Sequence, residues 1–238
     1  TLKNILNKRP VDTLIFDACL MQSIEVISEL MHVTKVIMAS ANTQDYYGLP
    51  YDLFFETINK KNFRPGSFQG SKELVGLLSK NYQNKYFTLS AIDTHEFKYR
   101  FLPSFKYFLR DLKSIVDKDF LAGIDLKQKM DLAPRYHGDK MDLGTFIATT
   151  EQYLKDNNLY SFLIKKRINN LWRDLKSSII KSKSGEENFE QNYRESFVGI
   201  SIWVPRFLET YEIRKQEFSN SQLYKELAPY TPEFLFNF

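Results

Sequence analysis

Apolar positions along the chain change period several times, and each change predicts an element. Thr13-Leu14-Ile15-Phe16 is a short β-forming run closed by Pro10 and Asp17, which predicts a buried strand. From Leu20 the spacing turns helical: Met21, Ile24, Ile27 and Met31 recur opposite Glu25 and Glu29, so a helix is expected to start at Leu20. Val33 to Ser40, VTKVIMAS, predicts a second buried strand of the kind found in parallel sheets. Two such strands joined by one helix form a right-handed βαβ unit with both carboxyl ends on one edge, which makes Cys19 and Ser40 neighbours there.

Farther along, residues 41–50 read as loop, 52–58 as helix and 59–70 as loop, and Ser71 is placed to cap a helix running to Ser79. Phe87 to Ile92 predicts a third strand, and Asp93-Thr94 opens a helical stretch reaching about Lys118. The stretch from Ala122 to Ile180 is helical and charged with a break over 134–139, whereas KSKSGEENFEQN at 181–192 is polar enough for a mobile loop. Gly199 to Val204 is expected to be a late strand returning to the sheet. The tail beyond Pro205 carries Tyr211, Phe218, Tyr224, Tyr230, Phe234, Phe236 and Phe238, rings that read as packing. Together these give an α/β protein in two parts: a Cys19-bearing part at 1–121 and a helical region with one late strand at 122–238.

Composition narrows the class. With 238 residues and 43% apolar content the chain can bury a sizeable core, and 20 Phe and 14 Tyr against 9 Gly must be covered by packing. The net charge of +4 comes from interleaved acids and bases, which does not argue for nucleic acid. One cysteine excludes an intrachain disulfide, no run reaches the length of a membrane span, and the first residues lack a signal-peptide pattern. Thr1 in place of an initiator Met reads as the start of a processed or trimmed piece.

Cys19 has two readings from its position. It is either a small buried hydrophobe or a nucleophile at the carboxyl edge of the sheet, its thiolate favoured by the positive end of the next helix. A nucleophile needs a base within hydrogen-bond reach and donors for an oxyanion. Of the three histidines, His32 ends the first helix away from Cys19, His95 follows the carboxyl end of the third strand where proximity is permitted, and His137 lies in a loop between helices. These residues make no zinc set, and no Gly-rich phosphate loop follows a strand.

The string Phe16-Asp17-Ala18-Cys19-Leu20-Met21, followed by Ser23 and Glu25, closely resembles the nucleophile segment of the clostripain family of cysteine peptidases. Ala39-Ser40, Gly48-Leu49-Pro50-Tyr51, Leu89 to Asp93, Asp142 to Phe146 and Gly199 to Pro205 fall in that family's order. The resemblance implies a caspase-like α/β/α sandwich with a mostly parallel sheet and a helical carboxyl-terminal region. It implies an endopeptidase that cleaves after Arg or Lys, with Cys19 attacking the carbonyl and Asp17 at the base of the first pocket. Asp45 is a second candidate acid, although Asn42-Thr43-Gln44-Asp45 departs from the acidic run of relatives; Ala39 and Ser40 would line the pocket through their backbone. For Asp17 the residues alone leave a second role open, that of a strand-terminal carboxylate accepting backbone N–H groups.

In that family the catalytic His precedes the nucleophile, so the resemblance implies a light chain from the same precursor, absent here, that partners this heavy chain. Peptides with Arg or Lys at the cleavage site are the implied substrates, and export from a bacterium the implied location. No cofactor is expected from the residues. Clostripain is linked to calcium, but Asp117, Asp119, Asp139 and Asp142 form no EF-hand loop. The competing reading is an inactive relative kept as a binding or scaffold module, which would bind peptides without hydrolysis and ignore thiol alkylation.

Overall fold

The computed structural model describes residues 2–44, 48–64, 66–80, 87–185 and 196–232. The chain begins with α1 (Leu2–Lys8), β1 (Val11–Ile15), α2 (Ile24–Leu30) and β2 (Thr34–Ala39), continuing through α3 (Tyr51–Ile58), α4 (Phe68–Lys80) and β3 (Thr88–Asp93). Next come α5 (Thr94–Glu96), a π-helical turn over Phe97–Phe101, and α6 (Leu102–Val116), one continuous rod, then α7 (Phe120–Leu132) and β4 (Lys140–Asp142). The remainder is α8 (Leu143–Asp156), α9 (Phe162–Ser178), β5 (Ile179–Ser184), β6 (Ser201–Trp203), α10 (Leu208–Asn220), α11 (Gln222–Leu227) and a 3-10 turn at Ala228–Tyr230.

The central sheet has the order β1-β2-β3-β5. Alternation on β2 sends Val36 and Met38 to one face and Ile37 to the other, as the two-residue period of a strand requires. Val36 and Met38 meet Leu74, Val75 and Leu78 of α4 together with Leu89 and Ala91. Ile37 and Ile92 face the larger core, where Phe97, Phe101 and Phe105 line up with ring centroids 4.9 and 5.3 Å apart and Phe146 closes edge-on against Phe105. Helices therefore cover both faces of the sheet, and the architecture is an α/β/α sandwich with a helical carboxyl-terminal region.

Strand directions differ from the expectation of a mostly parallel sheet. β1 and β2 are parallel, but β3 runs antiparallel to both β2 and β5. The connections account for this: the single helix α2 carries the chain back to the opposite edge, whereas α3 and α4 together return it to the edge it left. The late strand is also elsewhere. β6 pairs antiparallel with β4 in a separate two-stranded ribbon, and the strand that joins the main sheet is β5, IIKSKS, placed by sequence at a helix end and polar loop. As the outermost of the described strands, β5 needs apolar cover on little of its surface, and its lysines are the usual dressing of a sheet edge.

Two helix starts are shifted. Leu20 has φ of +61°, a left-handed conformation outside any α-helix, so α2 begins at Ile24, where the Ser23 hydroxyl accepts the Val26 N–H. α4 begins ahead of Ser71; Ser67 supplies the cap, its Oγ accepting the Gly70 N–H at 3.0 Å. β1 is only half-buried rather than enclosed, because no described strand pairs with its outer edge.

Candidate active site

Cys19 lies in the loop that links β1 to α2, and that loop is held along its length by the chain leaving β2. Phe16 N donates to Met38 O at 2.9 Å, Leu20 N to Asn42 O at 3.1 Å and Gln22 N to Ser40 O at 2.8 Å. The other flank is fastened by the β4–β6 ribbon: Ser201 N donates to Gln22 O at 2.8 Å and Trp203 N to Glu25 Oε1 at 2.8 Å. Between these supports the left-handed turn at Leu20 sets the chain so that Cys19 is exposed, which removes the buried-hydrophobe reading. The donor at its sulfur is the Gln44 N–H, 3.2 Å from Sγ, and not the amino end of α2, which starts farther on. Both polar atoms of the Gln44 side chain are buried beside it without a hydrogen-bond partner among the described residues.

Asp17 is exposed two residues before Cys19. Its Oδ1 accepts the Leu49 N–H at 3.0 Å and its Oδ2 the Tyr51 hydroxyl at 2.7 Å. The second bond raises the Tyr51 pKa above its usual value, since ionising the phenol would set two negative charges together. Gly48, at φ of +71°, permits this clamp: a Cβ there would fall on the Asp17 carboxylate. The carboxylate thus takes a backbone donor, as a strand-terminal Asp does, while still reaching solvent.

Ala39 and Ser40 are fully buried next to this loop. The Ser40 hydroxyl bonds Asn42 O and Thr88 Oγ1, both at 2.9 Å, and its carbonyl takes Gln22 N, so the pair sets the level of the loop from below. Asp45 lies outside the described residues.

The antiparallel course of β3 moves His95 to the far edge of the sheet. There it joins His32 in a cleft lined by Pro10, Val11 and Asp93, away from Cys19. His95 packs on Tyr99 with centroids 4.7 Å apart, and His32 Nδ1 lies 3.2 Å from Lys98 Nζ. His137 is exposed in the turn before β4, in a second cleft that Leu20 also lines. The structure therefore brings Asp17, Cys19, Ala39 and Ser40 together and separates His32 and His95 from them.

Asp142, named in the sequence as part of a string and among the aspartates that form no calcium loop, holds this region from beneath. Fully buried, it accepts the Tyr136 hydroxyl at 2.9 Å and the backbone N–H groups of Gly144, Thr145, Val198 and Gly199 at 2.9, 3.3, 3.1 and 2.9 Å. Burial lifts its pKa from 3.8 to about 6, and the donors from Tyr136, Gly199, Val198 and Thr145 oppose that rise. Its position just before α8 is a cap signal that sequence offers, but its hold on residues 198–199 is a long-range contact. With its oxygens so occupied, Asp142 does not suit calcium, and no three His, Cys, Asp or Glu among the described residues are grouped to hold a metal.

A sandwich with this exposed thiol at the carboxyl edge of its first strand is caspase-like in architecture. Residues 1–232 match the sequence profile of the clostripain family, and the chain belongs to that family of cysteine proteases. Among solved structures it is similar to a clostripain from Bacteroides thetaiotaomicron in complex with a peptide inhibitor, at 16% identity and TM-score 0.61, over 95% of this chain and 92% of that one. It is also similar to an inactive zymogen C11 protease from Parabacteroides distasonis, at 19% identity and TM-score 0.62, over 95% of this chain and 61% of that one. A secreted C11 cysteine protease from Bacteroides thetaiotaomicron matches at 16% identity and TM-score 0.61, with 95% of this chain and 59% of that one covered. At such identities the likeness shows the fold. A search of curated proteins finds no match to the sequence. Among the described residues no helix is long and apolar enough to cross a membrane.

Proposed function

We propose that the chain is the nucleophile-bearing part of an endopeptidase that cleaves after Arg or Lys. The observation that carries this is the exposed Cys19 thiol on a loop fixed from both flanks, two residues from a clamped but solvent-reaching Asp17. Cys19 Sγ, as thiolate, attacks the scissile carbonyl carbon; its own backbone N–H helps hold the oxyanion. A histidine takes the thiol proton and gives it to the leaving amine, and water then hydrolyses the thioester. That histidine belongs to a light chain of the same precursor, whose strand extends the sheet at the outer edge of β1, where no described strand pairs. The zymogen character of one structural neighbour is in keeping with a precursor.

Asp17 pairs with the guanidinium or ammonium of the substrate, which needs a carboxylate when it leaves water. Asp45, outside the described residues, is the second candidate acid for this pocket, and Ala39 and Ser40 support it from beneath, being fully buried under the loop. The secreted neighbour favours an extracytoplasmic place of action. The test is hydrolysis of Arg and Lys reporter peptides by the full-length gene product, its Cys19→Ala variant and the iodoacetamide-treated protein. Turnover confined to the untreated parent supports the reading. Cleavage surviving in Cys19→Ala refutes it, and tight peptide binding with no turnover in any of the three points to an inactive binding module.

A further inference from the structure

A cleft of about 740 Å³ opens on the side of the nucleophile loop that faces the β4–β6 ribbon, and Leu20, the residue after Cys19, forms part of its wall. Arg135, Lys140, Arg206 and Arg214 line it against Asp139, the one carboxylate among the described lining residues, with Trp203 and Phe207 supplying apolar surface. In a chain whose net charge is only +4, this is a local concentration of cations.

The four cations are not equivalent. Arg135 is structural, its guanidinium bonding Met130 O and Asp139 O at 3.2 Å, Val204 O, and Asp131 Oδ1 at 3.0 Å. Burial and then the Arg206 charge lower its pKa to about 10, so it stays charged, and the two guanidiniums repel each other across the cleft. Asp139 offsets part of this charge and is fixed in place, its Oδ1 accepting the Arg206 backbone N–H at 3.3 Å, but it is one carboxylate against four cations. Arg206 and Arg214 are exposed and, like Lys140, have no ion-pair partner among the described residues. A cleft whose mouth carries two exposed guanidiniums with no ion-pair partner among the described residues is complementary to an anion, and bidentate geometry favours a carboxylate.

We propose that this cleft is a subsite for an Asp or Glu side chain of the substrate, within a few residues of the scissile bond, and that Arg206 and Arg214 read it. The proposal rests on Cys19 being the nucleophile of a peptidase. An extended peptide advances about 3.3 Å per residue, so a residue two or three positions from the attacked carbonyl reaches past Leu20. Arg or Lys at the Asp17 pocket and an acid in this cleft give the substrate opposite charges on the two sides of the thiol.

The test uses the full-length gene product and two quenched peptides with one Arg each, identical except that Asp and Glu flank the Arg at two or three residues in one and Asn and Gln in the other. The acidic peptide is expected to have kcat/KM about fivefold to tenfold higher, a difference that fades toward about 0.5 M salt. In Arg206→Ala/Arg214→Ala the ratio falls to about one, while the same measurement on Lys166→Ala, a charge removed from the exposed side of α9, retains it. Equal rates on the two peptides in the parent, or a preference that survives the double substitution, overturn the proposal. Anisotropy of labelled, uncleaved peptides on Cys19→Ala protein separates the two readings. An acidic preference in binding with no turnover in the parent sinks the peptidase and leaves the subsite standing, whereas turnover without any acidic preference does the reverse.

Discussion

Asp142→Asn probes the network beneath the nucleophile loop, and its effect has a sign set by pH. The carboxylate takes five donors, from Tyr136, Gly144, Thr145, Val198 and Gly199. The amide keeps one acceptor oxygen and turns an NH2 toward the rest, leaving at least one buried donor unpaired at about 1–3 kcal/mol. A titration contribution adds to this. The native carboxyl binds its proton at about 6 against an ordinary 3.8, which corresponds to about 3 kcal/mol. Because the folded pKa is the raised one, the folded state gains from protonation: the stabilisation is complete below about 4 and lost as pH rises through about 6. Asn does not titrate, so the stability gap between parent and variant should be about 2 kcal/mol at pH 7 and wider by about 1 kcal/mol at pH 5. Urea unfolding at both pH values measures it, and taking the difference cancels the other carboxylates. A gap that is flat in pH, or that narrows on acidification, would mean that the five donors outweigh burial and that the reasoning is wrong.

Two further substitutions test the supports of the site and of the core. Gly48→Ala places a methyl on the Asp17 carboxylate at a φ of +71°; KM for Arg and Lys peptides should rise about tenfold, with about 1–2 kcal/mol lost from stability, and an unchanged KM removes Asp17 from substrate recognition. Phe105→Ala empties a fully buried position stacked on Phe101 and edge-on to Phe146; it should cost about 3–5 kcal/mol in urea unfolding, and a loss below about 1 kcal/mol would show that the surrounding rings collapse into the space.

What the sequence made legible follows from the range of the interactions involved. β2 and β3 were readable because each is a short, nearly continuous run of apolar and β-forming residues, and the closeness of Asp17 to Cys19 because both lie on one short string. β5 was not, since an edge strand of Ile, Lys and Ser has the composition of a loop and is defined only by its pairing with β3. The edge on which His95 lies depended on counting helices between β2 and β3, which fixes strand direction, and periodicity within β3 carries no such information. Asp142 illustrates the remaining gap. Its cap on α8 is local and readable, but its bonds to Val198 and Gly199 join positions 56 and 57 residues apart.

Those distant bonds matter because the nucleophile loop has no regular structure of its own. Asp142 fixes the N–H groups of Val198 and Gly199; Gly199 O accepts the Ser90 hydroxyl at 2.7 Å, tying the same turn to β3. Two residues later Ser201 N holds Gln22 O, and Gln22 Nε2 in turn reaches Ser90 O at 3.3 Å. The main sheet and the ribbon therefore grip the loop through one shared residue, Gln22, three positions beyond Cys19. On the opposite side Asp17 is gripped by a separate segment, Gly48 to Tyr51, which touches neither Asp142 nor β6 in the bonds described. Placement of the thiol and placement of the acid are thus controlled by different parts of the chain. The Asp17 carboxylate is set by Gly48 to Tyr51, whereas Asp142 bears on the thiol through a relay in which its own carboxylate, the Ser90 hydroxyl and the Gln22 amide join backbone groups.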